Sequence, residues 1–288
     1  MVFVHKKRKP KKFFLPNNFK MRILLKLEAC KDFSYDSKYY SKFQGFIYRQ
    51  LINTPYSFLH QKKGYKFFCF SNIFPLKPTK KGISPFKEGE TKFWLISSPD
   101  KGFIFLLNEK FQNIAENNST INLGEMQFYL KSVKIIKQRL KRKNVTLKLE
   151  TPLILRAGKK TYKNYKIIPP REYKYLFWKK EYPLELFIDL LTKNLIKKYA
   201  EFYYLNDKIS LKELESAVTP LFQRLEFEKT IVAHVPIKGR EQKFIGSLWR
   251  FHFDWLNNQQ KNLLEFAIDC GFGEKNSYGF GFVNVMGM

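Results

Sequence analysis

The stretch GFGEKNSYGFGFV at residues 271–283 gathers four glycines, one lysine and one asparagine around three phenylalanines. Glycine lets a backbone approach a phosphate closely and aim its N–H groups at it, so a phosphate is the first ligand this stretch suggests. The nucleotide-binding patterns do not fit it. A dinucleotide fingerprint runs strand, G-x-G-x-x-G, helix, whereas here Asn276 takes the sixth position and the order reads helix, loop, strand. A Walker A loop needs a second glycine directly before its lysine, and a nucleophile elbow needs glycines two residues either side of the serine, whereas Lys275 stands two residues before Ser277. What remains is a pair of G-x-G units, Gly271 with Gly273 and Gly279 with Gly281, and Lys275 and Asn276 at the tip between them. Its mildest explanation is a glycine-rich turn with Phe272, Phe280 and Phe282 in core contacts.

A second place for chemistry is LHQKKGYKFFCFS at 59–71, where His60 stands in a loop with Lys62, Lys63, Gly64 and Lys66. Imidazole is the side chain suited to proton transfer near neutral pH, and ammonium groups around it suit a phosphate-facing site. Metal chemistry has little support. Cys30, Cys69 and Cys270 are widely separated and form no C-x-x-C pair, no histidine pair has ligand spacing with a carboxylate, and no carboxylate dyad stands out. The cysteines read as reduced core residues of a cytoplasmic protein, and no metal or other cofactor is expected.

These residues sit in a chain of 288 residues with a formal charge of +28, 53 Lys and Arg opposing 25 acids. Residues 1–20 hold seven of those basic residues and no acid, so most of the excess belongs to the body and predicts an extended surface for a polyanion. Lys159 and Lys160 in GKKTYKNYK, Arg240 at a hairpin tip and Lys275 are candidate phosphate contacts, together with Lys62 and Lys63. His5, His234 and His252 read as structural or as contacts for that polyanion. The longest apolar runs fall far short of a bilayer span, so no membrane partner is expected, and the N-terminus lacks the apolar core of a secretory signal.

The elements that must position these groups follow from periodicity. The spacing predicts a strand over 22–29, a helix over 35–52, strands over 65–74, 92–97 and 102–108, a short helix from Glu109 and a strand over 126–136. Within the helix, Phe43, Ile47 and Leu51 form the apolar stripe while Tyr48 shares another face with Ser37, Ser41 and Gln44, which gives Tyr48 a groove-facing hydroxyl. After a basic connector at 138–144 the pattern repeats: a strand over 145–156, a helix over 183–203, a long hairpin around KGRE, a helix over 257–271 capped by Asn257 or Asn258 and closed by Gly271, and the final strand YGFGFVNVM. The expectation is an α+β protein of two tandem ferredoxin-like domains, each β-α-β-β-α-β and RRM-like, at 21–140 and 145–288, behind a basic extension at 1–20.

GFGEKNSYGFG, in a chain of this length, charge and duplicated order, resembles the C-terminal glycine-rich loop of the CRISPR-associated repeat-RNA endoribonuclease family, Cas six, of the RAMP superfamily. QGFIYRQ at 44–50 and LHQKKGYKFFCFS at 59–71 are similar to that family's active-site segments. The resemblance covers about residues 21–288. It implies cleavage of CRISPR precursor RNA within its repeats without a metal, with Tyr48, His60 and Lys66 as the catalytic group. It implies that Gly271, Gly273, Gly279, Gly281, Lys275 and Asn276 grip the RNA. The lysine-rich interval leaves open which of Lys62, Lys63 and Lys66 acts and whether Tyr48 or His60 is the base. It also leaves open an inactive crRNA-binding or effector-scaffold subunit, a place in a CRISPR effector complex, and a homodimer.

Overall fold

The computed structural model describes residues 20–79, 82–203, 208–237 and 239–286. The basic extension before Lys20, with His5, lies outside the described residues.

The first half opens with β1 (Lys20–Ala29), whose alternate residues Met21, Ile23, Leu25, Leu27 and Ala29 are buried as a half-covered strand requires. Helix α1 (Tyr39–Gln50) follows, then β2 (Cys69–Phe70), a small hairpin of β3 (Pro78–Thr79) and β4 (Gly82–Ile83), and β5 (Thr91–Ser97). Helix α2 (Lys101–Glu116), β6 (Thr120–Leu123) and β7 (Met126–Gln138) complete it. The sheet order is β2-β5-β1-β7-β6 with antiparallel neighbours, a ferredoxin-like arrangement with β6 added at one edge.

Two sequence expectations fail here. The run at 102–108 is helix, not strand: Asp100 caps α2 by accepting the Phe103 N–H at 3.2 Å, and Phe103, Ile104, Leu107 and Phe111 fall on one buried face while Phe105 is exposed. Of the strand expected at 65–74, only Cys69–Phe70 forms a ladder with β5, and Phe74 adds an isolated bridge to Phe93. The chain before it is irregular, with Phe67 at φ 53°.

The second half repeats the plan with β8 (Lys143–Leu149), β9 (Arg156–Gly158), α3 (Lys159–Asn164), β10 (Tyr175–Phe177), α4 (Leu184–Phe202), α5 (Lys208–Val218), β11 (Arg224–Ile237), β12 (Arg240–Trp255), α6 (Asn258–Cys270) and β13 (Val283–Met286). Its sheet runs β11-β12-β8-β13, so its first strand is again flanked by its third and fourth. The strand expected over 145–156 breaks after Leu149 because Leu153 and Ile154 turn aside to bridge Ser247 and Glu274. The final strand shrinks to β13, since Tyr278 to Phe282 belong to the glycine loop. Helix α6 starts as expected, with Asn257 and Gln260 forming a reciprocal capping box.

The halves share a core. Ala233, Val235 and Phe244 of the β11–β12 hairpin, with Ile154 and Phe280, pack among the buried residues of β1, α1 and β5. Arg22 of β1 reaches the other way: its guanidinium donates to Asn284 Oδ1 at 2.8 Å, Val283 O at 2.7 Å and Ile268 O at 3.0 Å, and lies over the Phe282 ring. Among the described residues no helix is long and apolar enough to cross a membrane.

Candidate active site

Helix α1 presents Tyr48 beside its buried stripe of Phe43, Phe46 and Ile47, so the ring is half-buried and the hydroxyl faces out of the core. A one-turn 3₁₀ segment, Ser57–His60, anchored by buried Leu59, brings His60 edge-on to the Tyr48 ring with centroids 5.3 Å apart at 80°. Lys66, on the irregular segment before β2, donates to Tyr48 Oη at 2.7 Å and to the His60 carbonyl at 3.2 Å. The three side chains therefore form one cluster. Lys62 instead places its ammonium 4.9 Å from the Phe67 ring centroid, and Lys63 is exposed.

The electrostatics give these groups different tasks. Burial pushes the Tyr48 phenol well above its ordinary pKa, opposed by a hydrogen bond to the Ser277 side chain, so the phenol stays protonated at neutral pH. Burial also lowers Lys66, with the positive charges of Lys275 and Lys62 adding to the effect. Lys275 is lowered too, by desolvation and then by Arg156. An anion seated among these lysines would relieve the repulsion between them.

Lys275 belongs here because the glycine loop forms one wall of the site. A cavity of about 220 Å³ is lined by Gln44, Tyr65 and Lys66 on one side and by Lys275, Ser277 and Tyr278 on the other. The Gln44 amide, one helical turn before Tyr48, donates to Ser277 O at 2.9 Å and Ser277 Oγ at 3.1 Å, joining α1 to the loop. A larger cleft of about 610 Å³ lies between the start of α1 and the β11–β12 hairpin, lined by Tyr35, Lys38, His234 and Glu241, away from the Tyr48 cluster.

The loop's glycines turn inward rather than toward a ligand. Gly271, Gly273, Gly279 and Gly281 are buried, and a Cβ on Gly281 would lie 1.9 Å from Phe272 O, at a backbone φ of 71°. Several loop N–H groups are consumed inside the protein: Phe272 N–H by Gly281 O at 2.8 Å, Glu274 N–H by Ile154 O at 2.9 Å, and Gly281 N–H by Pro152 O at 2.9 Å. Those groups cannot cradle a phosphate. Asn276 is committed in the same way, donating from Nδ2 to Phe272 O at 2.9 Å and Phe280 O at 2.8 Å. The three phenylalanines pin the loop, Phe272 in the core of the second half, Phe280 stacked 4.5 Å from Tyr40 of α1, and Phe282 against Cys69 and Leu95.

The other basic candidates stand elsewhere. Lys159 and Lys160 are exposed at the start of α3, where Lys159 pairs with Glu172 at 2.5 Å, and Arg240 is exposed at the tip of the β11–β12 hairpin. None of the three lines the cavity between Lys66 and the glycine loop. Gln44 and Ser277 were not anticipated as site residues, although Gln44 shares the Tyr48 face of α1. Among the described residues, no group of three or more His, Cys, Asp and Glu is placed to hold a metal.

The chain matches the family described as CRISPR associated protein Cas6, C-terminal, over residues 136–285. It is 31% identical over 273 residues to the CRISPR-associated endoribonuclease Cas6 2 of Methanocaldococcus jannaschii, covering 92% of this chain and 99% of the relative. It is 25% identical to the Haloferax mediterranei CRISPR-associated endoribonuclease Cas6 over 92% of this chain and 94% of that one. Solved structures share the fold: a CRISPR associated protein Cas6 superposes with a TM-score of 0.63 at 24% identity, covering 93% of this chain and 100% of that one. A RAMP protein described as binding different RNA substrates gives 0.64 at 18%, with the same coverage of both chains. The family match and the extent of the M. jannaschii similarity place the chain in the Cas6 family of CRISPR-associated endoribonucleases.

Proposed function

We propose that this protein cleaves CRISPR precursor RNA within its repeats at the Tyr48–His60–Lys66 cluster, by a transesterification that needs no metal. The observation that carries the assignment of the site is the contact of Lys66 Nζ with Tyr48 Oη at 2.7 Å beside the His60 ring. RNA supplies its own nucleophile. The 2′-oxygen forms a bond to the adjacent phosphorus, its proton passes to His60, the bond from phosphorus to the 5′-oxygen breaks, and that oxygen takes the proton up from the His60 imidazolium. The ends are a 2′,3′-cyclic phosphate and a 5′-hydroxyl.

Tyr48, protonated at neutral pH, is a poor base and a good hydrogen-bond donor, so it holds the sugar or a phosphate oxygen while His60 moves protons. Lys66 and Lys275 supply positive charge to the phosphorane oxygens. The half at 21–140 thus carries the catalytic side chains, and the half at 145–288 closes the site with its loop and offers Lys159, Lys160 and Arg240 to the RNA backbone farther out.

The test is cleavage of repeat RNA in EDTA by wild type and His60→Ala. Wild type cleaves and leaves cyclic phosphate ends, and the variant loses about 10²- to 10⁴-fold in rate with binding within a few-fold. Strict Mg²⁺ dependence would sink the mechanism, and equal loss of binding would make His60 a contact residue only. Intact affinity with no cleavage by wild type would make the chain a crRNA-binding subunit.

A further inference from the structure

Helix α4 carries an anomaly on its apolar face. Leu191, Leu195 and Tyr199 are buried along it, and Lys198 is buried with them at 1% exposure. A lysine so placed is costly, because desolvation of an ammonium is expensive unless its hydrogen bonds are made. Among the described residues no carboxylate lies within ion-pair distance of Lys198. Both hydrogen bonds of its ammonium go to the glycine loop, to Gly271 O at 2.7 Å and to Asn276 Oδ1 at 2.7 Å, while it also lies 5.8 Å from the Tyr65 ring centroid and borders the cavity beside Lys66. Methionine, similar in length and apolar, would fill the same space without the desolvation cost.

What those two bonds hold is the turn that reaches Tyr48. Asn276 Nδ2 ties the two limbs of the loop together through Phe272 O and Phe280 O. The next residue, Ser277, accepts the Gln44 amide at its carbonyl and hydroxyl, and Gln44 stands one helical turn before Tyr48 on α1. Tyr48 in turn accepts from Lys66. A chain through Asn276, Ser277 and Gln44 therefore connects Lys198, in the second half, to the helix that carries Tyr48 in the first.

We propose that Lys198 is a positioning residue for RNA cleavage, fixing the glycine loop through Gly271 and Asn276 so that Ser277, through Gln44, holds α1 and its Tyr48 phenol in place. A buried cation whose two hydrogen bonds both go to one loop is explained by what that loop does. The inference rests on the cleavage role of Tyr48 proposed above.

The experiment is a double-mutant cycle on the full chain, read as single-turnover cleavage of repeat RNA under saturating protein, with RNA affinity measured in parallel. Lys198→Met slows cleavage at least about tenfold in the wild-type background while Kd stays within about threefold, and it slows cleavage less than about twofold in a Tyr48→Phe background. Equal slowing in both backgrounds, or a parallel loss of affinity, overturns the inference and leaves Lys198 as structural support alone. If Lys198→Met does not fold, Gln44→Leu cuts the same chain on the other side of Ser277 and must show the same dependence on Tyr48. A Tyr48→Phe variant that cleaves at the wild-type rate removes the underlying reading, and the inference with it. Impaired Tyr48→Phe with additive Lys198→Met overturns the inference alone.

Discussion

Burial acts on the two hydrogen-bonded partners at the centre of the site in opposite senses, raising the Tyr48 phenol and lowering the Lys66 ammonium. A lysine whose pKa is lowered gives up its proton at lower pH than an ordinary lysine. If the ammonium stabilises the phosphorane, the cleavage rate falls on the alkaline side as Lys66 loses its charge, below the usual lysine value. Lys66→Arg keeps a cation throughout, so its alkaline decline from Lys66 titration should disappear, whatever rate it retains; a rate profile from neutral to about pH 10 checks both. The placement of Tyr48 at the edge of the core was legible in the sequence because an α1 stripe of Phe43 and Ile47 leaves residue 48 beside it. The choice among Lys62, Lys63 and Lys66 was not legible, because the segment carrying them has no periodicity and its course is set by contacts such as Phe67 against Phe202 of α4. Lys198 left a readable mark, a lysine in a row of leucines, but only the structure shows what it serves.

At the scale of elements, the glycines of the loop act by letting backbone pack on backbone. Gly281→Ala forces a Cβ into Phe272 O at a left-handed backbone angle and should destabilise the protein by about 2 kcal/mol or more. Gly45, inside α1 with open space where a Cβ would go, should respond in the opposite direction, Gly45→Ala stabilising by about 0.5–1 kcal/mol. Urea denaturation of the two variants reads both signs. The loop also shows what a motif conveys and what it hides: the G-x-G pairs correctly mark an unusual backbone, but they suggest a phosphate cradle where the structure has N–H groups already bound to Pro152 and Ile154. Helix α2 was misread for a related reason. FIFLL is apolar enough for a strand, and the deciding feature is Asp100 capping the turn ahead of it.

Across the whole molecule, the excess of 53 basic over 25 acidic residues makes RNA affinity a matter of counterion release. Affinity should fall steeply with salt. Lys275→Ala should reduce the slope of log K against log salt by about 0.7, as expected for one lost contact to single-stranded RNA, and should slow cleavage of bound RNA as well, since Lys275 lines the same cavity as Lys66. The duplicated β-α-β-β-α-β order was legible from strand and helix alternation. The joining of the halves was not, because it depends on residues far apart in sequence, such as Arg22 with Val283 and Tyr40 with Phe280. Arg22→Ala removes a buried guanidinium from Asn284, Val283 and Ile268, leaves the buried Asp269 carboxylate without the cation 3.9 Å from it, and should cost about 3–5 kcal/mol. Wild type should unfold in one transition by both tryptophan fluorescence and circular dichroism, since the two sheets share the core built on Phe244 and Phe280. The wall that Lys275 to Tyr278 lend to the cavity beside Lys66 also bears on synthesis. Tyr48, His60 and Lys66 leave the ribosome early and the loop about two hundred residues later, so at the ~5–20 residues per second of translation the nascent chain spends roughly ten to forty seconds with that cavity unfinished. With these three residues cutting RNA as proposed above, a growing polypeptide gains its competence to cleave only once the second half has folded onto the first.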